Sequence, residues 1–552
     1  MVDIKSTSNA VWWIKNPSQH KRRHESLGSK FSKDMTDLFS NISLHAYNKF
    51  VDSGLFSYEK FIWLCVHVTI LCFMCVALTY TWDQFVLQHF SINLYDPLYP
   101  VQNVPFPAVS ICSNNRISHK AALQYAQELS KVDPYNRSVD FFMKRIAYFN
   151  SFYFRHDKLE SHLDYREFQK FLDHYGTDDN ETFYNMLKIM QRLTPKCEDF
   201  ILACMLGAKR VNCFEEQTFQ TQLTQYGPCC MFNSNDSYRK RTYRTRFSGS
   251  GMGLIVVLNT SHADDMASLL NMDGYAVIVH SPNRFPEISS GSSLEVFPII
   301  NEETFIGLKA RVLDSSDDLR SFAASHRKCY FDDEVPLNYN NKYSMQNCIT
   351  RCRARSIMAL CNCIPFYTPL SLVDDMNGVP FCTLGNIECM QQYKFKWRNV
   401  LTELTNINGL EREREEALYC LECLPSCQDI RYSVSAMALP VDGYSFQKGI
   451  IDGNFQTNYS DLSVLRVFFD EATSPYYMRV STNSWVESSS TVGNIVSICM
   501  GFSMVAILEI FYFIVKYLII AFKKYISQTT KPKKWKRASR LFKPNEPLYI
   551  CP

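Results

Sequence analysis

Two long apolar runs, one near each end, constrain this chain more than anything else in it. The first, FIWLCVHVTILCFMCVALTY from Phe61 to Tyr80, contains no Asp, Glu, Lys or Arg. It reaches the roughly 20 residues that a membrane-spanning helix requires. The second, GNIVSICMGFSMVAILEIFYFIVKYLIIAF from Gly493 to Phe522, is 30 residues long. As one straight helix it would extend ~45 Å against a hydrocarbon core of ~30 Å, so it must tilt, break or protrude. The sixty largely polar residues before the first run argue against a cleaved signal peptide, and that run should act as an uncleaved anchor. Lys15, Lys21, Arg22, Arg23, Lys30 and Lys33 precede it; Lys523, Lys524, Lys531, Lys533, Lys534, Lys536 and Arg537 follow the second run. Positive charge at both flanks predicts two cytosolic ends and an external loop between. The expected plan is a cytosolic region over 1–60, a first span over 61–82, an extracellular domain over 83–490, a second span over 491–522 and a basic tail over 523–552.

The cysteines test that topology independently. Sixteen of the 21 fall between Cys112 and Cys427, ten of them from Cys329 onward. Short spacings such as Cys361-Asn-Cys363 and Cys420-Leu-Glu-Cys423 could begin a zinc site. An even number of cysteines in a loop that reaches an oxidising compartment instead predicts disulfides, and no metal is expected. The sequons at Asn136, Asn180, Asn235, Asn259 and Asn458 all lie in the same loop, as glycan acceptors would. A net charge of +3, with basic residues gathered near the ends, gives no reason to expect a nucleic-acid partner. There is no HExxH, GxSxG or P-loop, and GSGMG lacks dinucleotide-binding spacing, so no enzyme is expected.

A receptor, an ectoenzyme and a channel all remain compatible with two spans and a large external domain. Ser490, Gly493, Ser497 and Gly501 recur every three or four residues, so a helix places all four on one face. One reading is a seam where small residues let two helices approach closely. The other is a pore lining built from several copies of Gly501 to Ser503; the two readings are compatible.

Gly501-Phe502-Ser503 followed by MVAILEIF resembles the selectivity tract of the degenerin/epithelial sodium channel family. FPAVSICSNNRIS (Phe106 to Ser118), YGPCCMFN (Tyr226 to Asn233), GSGMGLIVVLN (Gly249 to Asn259) and GYAVIVHSPNRFP (Gly274 to Pro286) are similar to further family signatures, in the family's order. The wording is most like the insect pickpocket branch. The resemblance implies an α+β membrane protein: a trimer whose subunits each carry two transmembrane helices and a disulfide-rich ectodomain of palm, finger, thumb, knuckle and β-ball. Runs such as LIVVLN, YAVIVH and LRVFF have the β-branched and aromatic content of palm strands. The resemblance also implies a thumb ladder over about 329–427 that pairs Cys329 with Cys427, Cys348 with Cys423, Cys352 with Cys420, Cys361 with Cys389 and Cys363 with Cys382. Cys112 with Cys229 is the implied palm link; Cys197, Cys204, Cys213 and Cys230 stay unassigned.

The activity implied is a sodium-selective, amiloride-sensitive channel of the plasma membrane that needs no cofactor and passes Na+. In the family the second span breaks at Gly501 to Ser503, and freed carbonyls with the serine hydroxyl replace water around the ion; irregular backbone at that depth must line water or protein. Gly493 and Ser497 would share that lining. Ser490 matches a position at the outer mouth where a small side chain lets the helices close. Glu509 either faces an inner vestibule and attracts cations or sits near the boundary, satisfied by water or by Lys516. His45 in NISLHA matches the histidine of a gating motif, but Ala46 stands where the family has glycine, and Thr491 stands where acid-sensing relatives have aspartate. Asp333, Glu334 and carboxylates near Glu411 form either a pH-sensing cluster or a solvated face. An accessory subunit that conducts only with partners, or a receptor-like ectodomain protein, is the alternative. The stimulus is not legible in the sequence.

Overall fold

The structure, a computed structural model, describes residues 36–37, 39–41, 44–52, 54–87, 90–153, 162–176, 184–207, 209–215, 218–234, 242–260, 262–291, 293–335, 342–373, 378–403, 416–441, 461–481 and 485–529. The chain divides into two compact units, one from its two ends (Met1–Gln88 with Asn483–Pro552) and one from its middle, His89–Thr482.

The middle unit is built on two sheets. Its principal strands are β1 (Phe90–Pro100), β2 (Ala108–Ser113), β3 (Ile201–Leu206), β4 (Lys209–Val211), β5 (Phe219–Thr224), β6 (Gly227–Phe232), β7 (Leu254–Asn259), β8 (Tyr275–His280), β9 (Leu294–Val296), β10 (Glu302–Ser315), β11 (Asp429–Pro440), β12 (Leu462–Phe469) and β13 (Thr473–Ser481). The first sheet runs β1-β13-β10-β12-β7-β3-β4, with β11 also paired to β10. Strand β10 is its axis. β11 lies antiparallel along one edge, from Glu302 opposite Pro440 to Leu313 opposite Asp429. On the other edge β12 runs parallel to Glu303 through Leu308, and β13 parallel to Val312 through Ser315.

The second sheet, β9-β8-β2-β6-β5, is covered on both faces. Val109, Ile111, Val277 and Val279 enter a core shared with Val256, Val467 and Phe469 of the first sheet. Their neighbours Cys112, Ala276 and Ile278 enter a second core with helix residues such as Phe142, Leu172 and Met190. Two-sided burial explains why AVSIC and YAVIVH are continuous apolar runs rather than alternating ones. The quoted motifs serve as junctions in this sandwich. Asn233, at φ 56, donates from its amide to Phe106 O at 2.5 Å and accepts from Tyr243 N–H at 2.7 Å. Arg116 is fully buried; its guanidinium donates to Pro228 O at 2.6 Å and lies 5.4 Å from the centre of the Tyr153 ring.

Helices cluster between β2 and β3: α2 (His119–Val132), α3 (Val139–Ile146), α4 (His162–Tyr175) and α5 (Met186–Leu193), all following α1 (Ser57–Leu87) of the other unit. In α2 the buried positions Ala122, Tyr125, Ala126 and Leu129 follow the helical repeat. Ser118, Ser138 and Asn185 cap α2, α3 and α5 by accepting backbone N–H groups of Ala121, Phe141 and Lys188. Helix α6 (Met345–Cys361) opens the cysteine-dense region and is capped by Ser344. Disulfides join Cys329 to Cys427, Cys348 to Cys423, Cys352 to Cys420, Cys361 to Cys389 and Cys363 to Cys382. Others join Cys112 to Cys229, Cys197 to Cys230 and Cys204 to Cys213, so the four unassigned cysteines pair among themselves. Cross-links of this density restrict the unfolded chain and stiffen the region they close.

Arg353 of α6 adds a buried clasp: it donates to Glu287 at 2.9 Å, to Ser289 Oγ at 2.8 Å and to Trp397 O at 2.9 Å. Glu287 is fully buried, and although burial pushes its carboxyl upward, Arg353 and the Ser289 and Ser290 donors hold it below the usual range. Arg353→Ala leaves that carboxylate unpaired and should cost ~3–5 kcal/mol, read as a lowered unfolding midpoint of the solubilised protein; Glu287→Gln with Arg353→Met should cost less.

His280, at the end of β8, is enclosed. Its Nδ1–H donates to Ser281 O at 3.0 Å, and Nε2 accepts from Ser110 Oγ at 3.0 Å. Burial pushes its pKa down to about 4 from 6.5. The folded form therefore resists protonation while the unfolded chain accepts it, so stability present above pH ~6.5 is lost as pH falls toward ~4, by up to ~3 kcal/mol. Denaturant titrations across that window should show this loss in the native protein and a shallower one in His280→Asn.

Candidate functional site in the broken membrane helix

Within the unit formed by the chain ends, α1 is continuous, and its Ser57–Asp83 stretch is long and apolar enough to cross a membrane. The second apolar run is interrupted. Helix α7 (Trp485–Met500) stops, residues 501–503 leave the helical path, and α8 (Met504–Thr529) resumes it, with Met504–Lys523 long and apolar enough to cross.

Gly501 ends α7 in the left-handed region, at φ +71, while its N–H still bonds Ser497 O at 2.8 Å. That is the usual glycine terminator of a helix. Ser503 starts α8: its Oγ accepts Ala506 N–H at 3.2 Å as an N-cap, and its carbonyl accepts Ile507 N–H at 3.1 Å. The hydroxyl proton of Ser503 is not consumed by this cap, and the residue is exposed.

The break orphans carbonyls at the end of α7. One is taken by the segment ahead of α1, where residues 44–46 turn into a short 3-10 helix, Tyr47–Phe50. His45 N–H donates to Met500 O at 3.1 Å. The His45 ring lies against Gly501, where an added Cβ would stand 2.7–2.9 Å from Nδ1, Cγ and Cδ2. Position 501 thus requires glycine for its conformation and for its neighbour. His45 O faces Nε2 of His67 on α1 at 3.1 Å. Further along, Lys516 of α8 pairs with Asp37 at 3.2 Å, an exposed contact worth little by itself.

Ala46 adopts φ 56, ψ 13. The backbone therefore does need the left-handed conformation at the position where the family pattern has glycine, which costs alanine ~1–2 kcal/mol.

His45, Ala46 and Gly501 are brought together. Gly493 and Phe502 line a cleft of about 770 Å³ with Leu78, Trp82, Val496 and Ile507. Ser497 is half-buried and contributes its carbonyl to Gly501. Exposed Ser490 and half-buried Glu509 lie roughly 16 Å and 12 Å along the helices from Gly501. Thr491 Oγ1 donates back to Glu487 O at 2.9 Å. In the other unit Asp333 pairs with Arg320 at 3.0 Å and Glu334 pairs with the buried Arg327. Asn136 is exposed and Asn259 half-buried at the end of β7, whereas Asn180, Asn235, Asn458, Glu411 and the Lys531–Arg537 run lie outside the described residues. Sequence reading passed over His67; an ionisable residue inside an apolar span was the available signal.

The sequence pattern of a protein family described as Amiloride-sensitive sodium channel matches residues 38–513. The chain belongs to the amiloride-sensitive sodium channel family. It is 25% identical over 461 residues to Pickpocket protein 28 of Drosophila melanogaster, covering 75% of this chain and 66% of that protein. It is 23% identical over 535 residues to Sodium channel protein Nach of Drosophila ananassae, covering 94% and 93%. With Epithelial sodium channel subunit gamma of Pelodiscus sinensis it shares 25% over 378 residues, 64% of this chain and 50% of the other. This is a family of channels, not of enzymes, and its match to this chain includes both the His45 turn and the Gly501 break.

In this sodium-channel family member, Ala46→Gly removes left-handed strain but gains unfolded-state freedom worth ~0.4–1 kcal/mol. Thermal unfolding of the solubilised protein should find it as stable as the native chain or up to ~1 kcal/mol more so, while Ala46→Val, β-branched at positive φ, should be less stable than either.

Proposed function

We propose that the chain is a pore-forming subunit of a sodium-selective, amiloride-sensitive cation channel of the plasma membrane, working as a homo- or heterotrimer with other family subunits. The observation that carries this reading is the break at Gly501 to Ser503 in an otherwise apolar helix. A break there exposes backbone polar groups that lipid cannot satisfy, and lining a water-filled path is the arrangement that tolerates them. The family match and the names of the relatives support the ion. Charge flanking the two spans supports cytosolic ends, with residues 1–60 and 523–552 inside and 83–490 outside. In this scheme 61–82 and 491–522 are the spans and the thumb covers about 329–427. Gly493, Ser497, Gly501, Phe502 and Ser503 contribute to the conduction path, Glu509 supplies an attracting carboxylate at its inner end, and Ser490, His45 and Ala46 participate in gating. The sequons at Asn136, Asn180, Asn235, Asn259 and Asn458 carry glycans. An extracellular stimulus acts through finger and thumb, and the disulfide ladder of the thumb suits it to move as a stiff body.

Ala46 favours a second reading, an accessory subunit that conducts only beside others, because alanine holds with strain the left-handed turn where the family pattern has glycine. Whole-cell recording with and without other family subunits, with sodium exchanged for potassium and amiloride applied, tests both. Gly501→Ala should lower the preference for sodium roughly fivefold or abolish current, since ~1–2 kcal/mol of strain falls on the tract proposed to select the ion. Unchanged permeability ratios in Gly501→Ala would remove this tract from the pore, and current only with a partner would favour the accessory role.

A further inference from the structure

Arg116, between β2 and α2, is a fully buried cation, and among the described residues no carboxylate pairs with it. Backbone carbonyls answer part of its charge: Nη1–H donates to Ser113 O at 3.2 Å and Nη2–H to Pro228 O at 2.6 Å. Its Nε is buried and has no hydrogen-bond partner. The Tyr153 hydroxyl, on the last residue of the 3-10 helix Ala147–Tyr153, is turned toward the same guanidinium and toward Thr194; it too is buried and makes no hydrogen bond. The Thr194 hydroxyl is already committed, donating to Met190 O at 2.7 Å. Gly227 borders the Tyr153 hydroxyl. A Cβ added there would stand 3.1 Å from the phenol oxygen and 3.3 Å from Phe366 Cε2, so the absent side chain leaves a space of atomic size beside the unused donors. Buried donors without partners in a native protein mark an ordered water or an ion. A water would satisfy the two donors and leave the guanidinium uncompensated, which is the costly part of burying it. An anion answers both needs.

We propose that a small monovalent anion of chloride's size binds in the middle unit between Arg116 and Tyr153, accepting from the Nε–H of one and the O–H of the other. One guanidinium calls for one negative charge, and a space bordered by the missing side chain of a glycine excludes a phosphate or an organic acid. The ion is held where three parts of the unit meet. Pro228 belongs to β6 of the second sheet, Tyr153 and Thr194 belong to the helix cluster, and Phe366, whose ring centre lies 6.1 Å from that of Tyr153, belongs to the cysteine-dense region. Binding therefore fastens the helix cluster to the sheet, and losing the ion loosens that joint. The proposal stands apart from the reading of Gly501 to Ser503, which lie in the other unit.

The test uses the full-length solubilised chain, with chloride exchanged for methanesulfonate at constant sodium and ionic strength, and reads hydrogen exchange in residues 113–118, in β6 and around Thr194. We expect exchange there to slow with added chloride, by about tenfold for each tenfold of chloride above the dissociation constant, as binding to the closed form alone requires. Bromide should substitute for chloride, and bromide-soaked crystals should show anomalous scattering between Arg116 Nε and the Tyr153 hydroxyl. Arg116→Met should abolish the chloride effect. Tyr153→Phe, which keeps the ring and its packing, should need about tenfold more chloride for the same protection, as the loss of one hydrogen bond to a charged group implies, and it carries the test if Arg116→Met does not fold. Exchange that ignores chloride in the native chain overturns the proposal. A chloride effect that survives unchanged in Tyr153→Phe also overturns it, by placing the ion elsewhere. So does density at this position without bromide scattering, which would assign the space to water.

Discussion

A helix that stops leaves its last C=O groups without partners inside the helix, and where water is scarce they must be met from elsewhere in the chain. The end of α7 raises that demand, and the chain meets part of it from far away in sequence: the N–H of His45 reaches the carbonyl of Met500. Much of the unit formed by the two chain ends follows from this bond. Position 501 is restricted to glycine because the turn that delivers the bond brings an imidazole with it. Ala46 is held at positive φ because the chain must turn sharply after delivering it. Ser503 then restarts the helix as its own cap, so the interruption is confined to residues 501–503.

The middle unit solves a different problem. It has strands enough to bury two cores but must hold helices on the far side of a sheet already covered by another. The second sheet manages this by burying alternate residues of β2 and β8 in opposite cores. Disulfides then fix what packing leaves loose: Cys112 to Cys229 ties neighbouring parts of that sheet, and the ladder from Cys329 to Cys427 closes the helical region beyond it.

How much of this was legible beforehand varies with the physics involved. The spans announce themselves by length and apolarity, and LIVVLN, YAVIVH and LRVFF are strands because β-branched runs suit doubly buried sheets. Disulfide connectivity is another matter, since sixteen cysteines permit far too many pairings for spacing to choose among. A ladder came into view only through the family resemblance. Cys204 and Cys213 stayed unassigned because what joins them is a hairpin, β3 to β4, whose turn gives little local signal. At the site, Gly501 and Ser503 carry their own signals as helix terminator and cap. Nothing in an alanine announces a left-handed turn, because that turn serves a bond to Met500, hundreds of positions away, and nothing in a lone histidine announces which carbonyls it will meet.

Strand β10 carries a constraint of its own. Three partners read its register at once: β11 along one edge and β12 and β13 along the other. Side chains alternate along a strand, so one inserted or deleted residue would turn its inward positions outward beyond that point and misalign three partners together. The length of this strand is therefore frozen in a way that single substitutions are not. Lineages descending from this chain can vary its composition, but they have to find their insertions and deletions elsewhere, in loops that no second strand is counting.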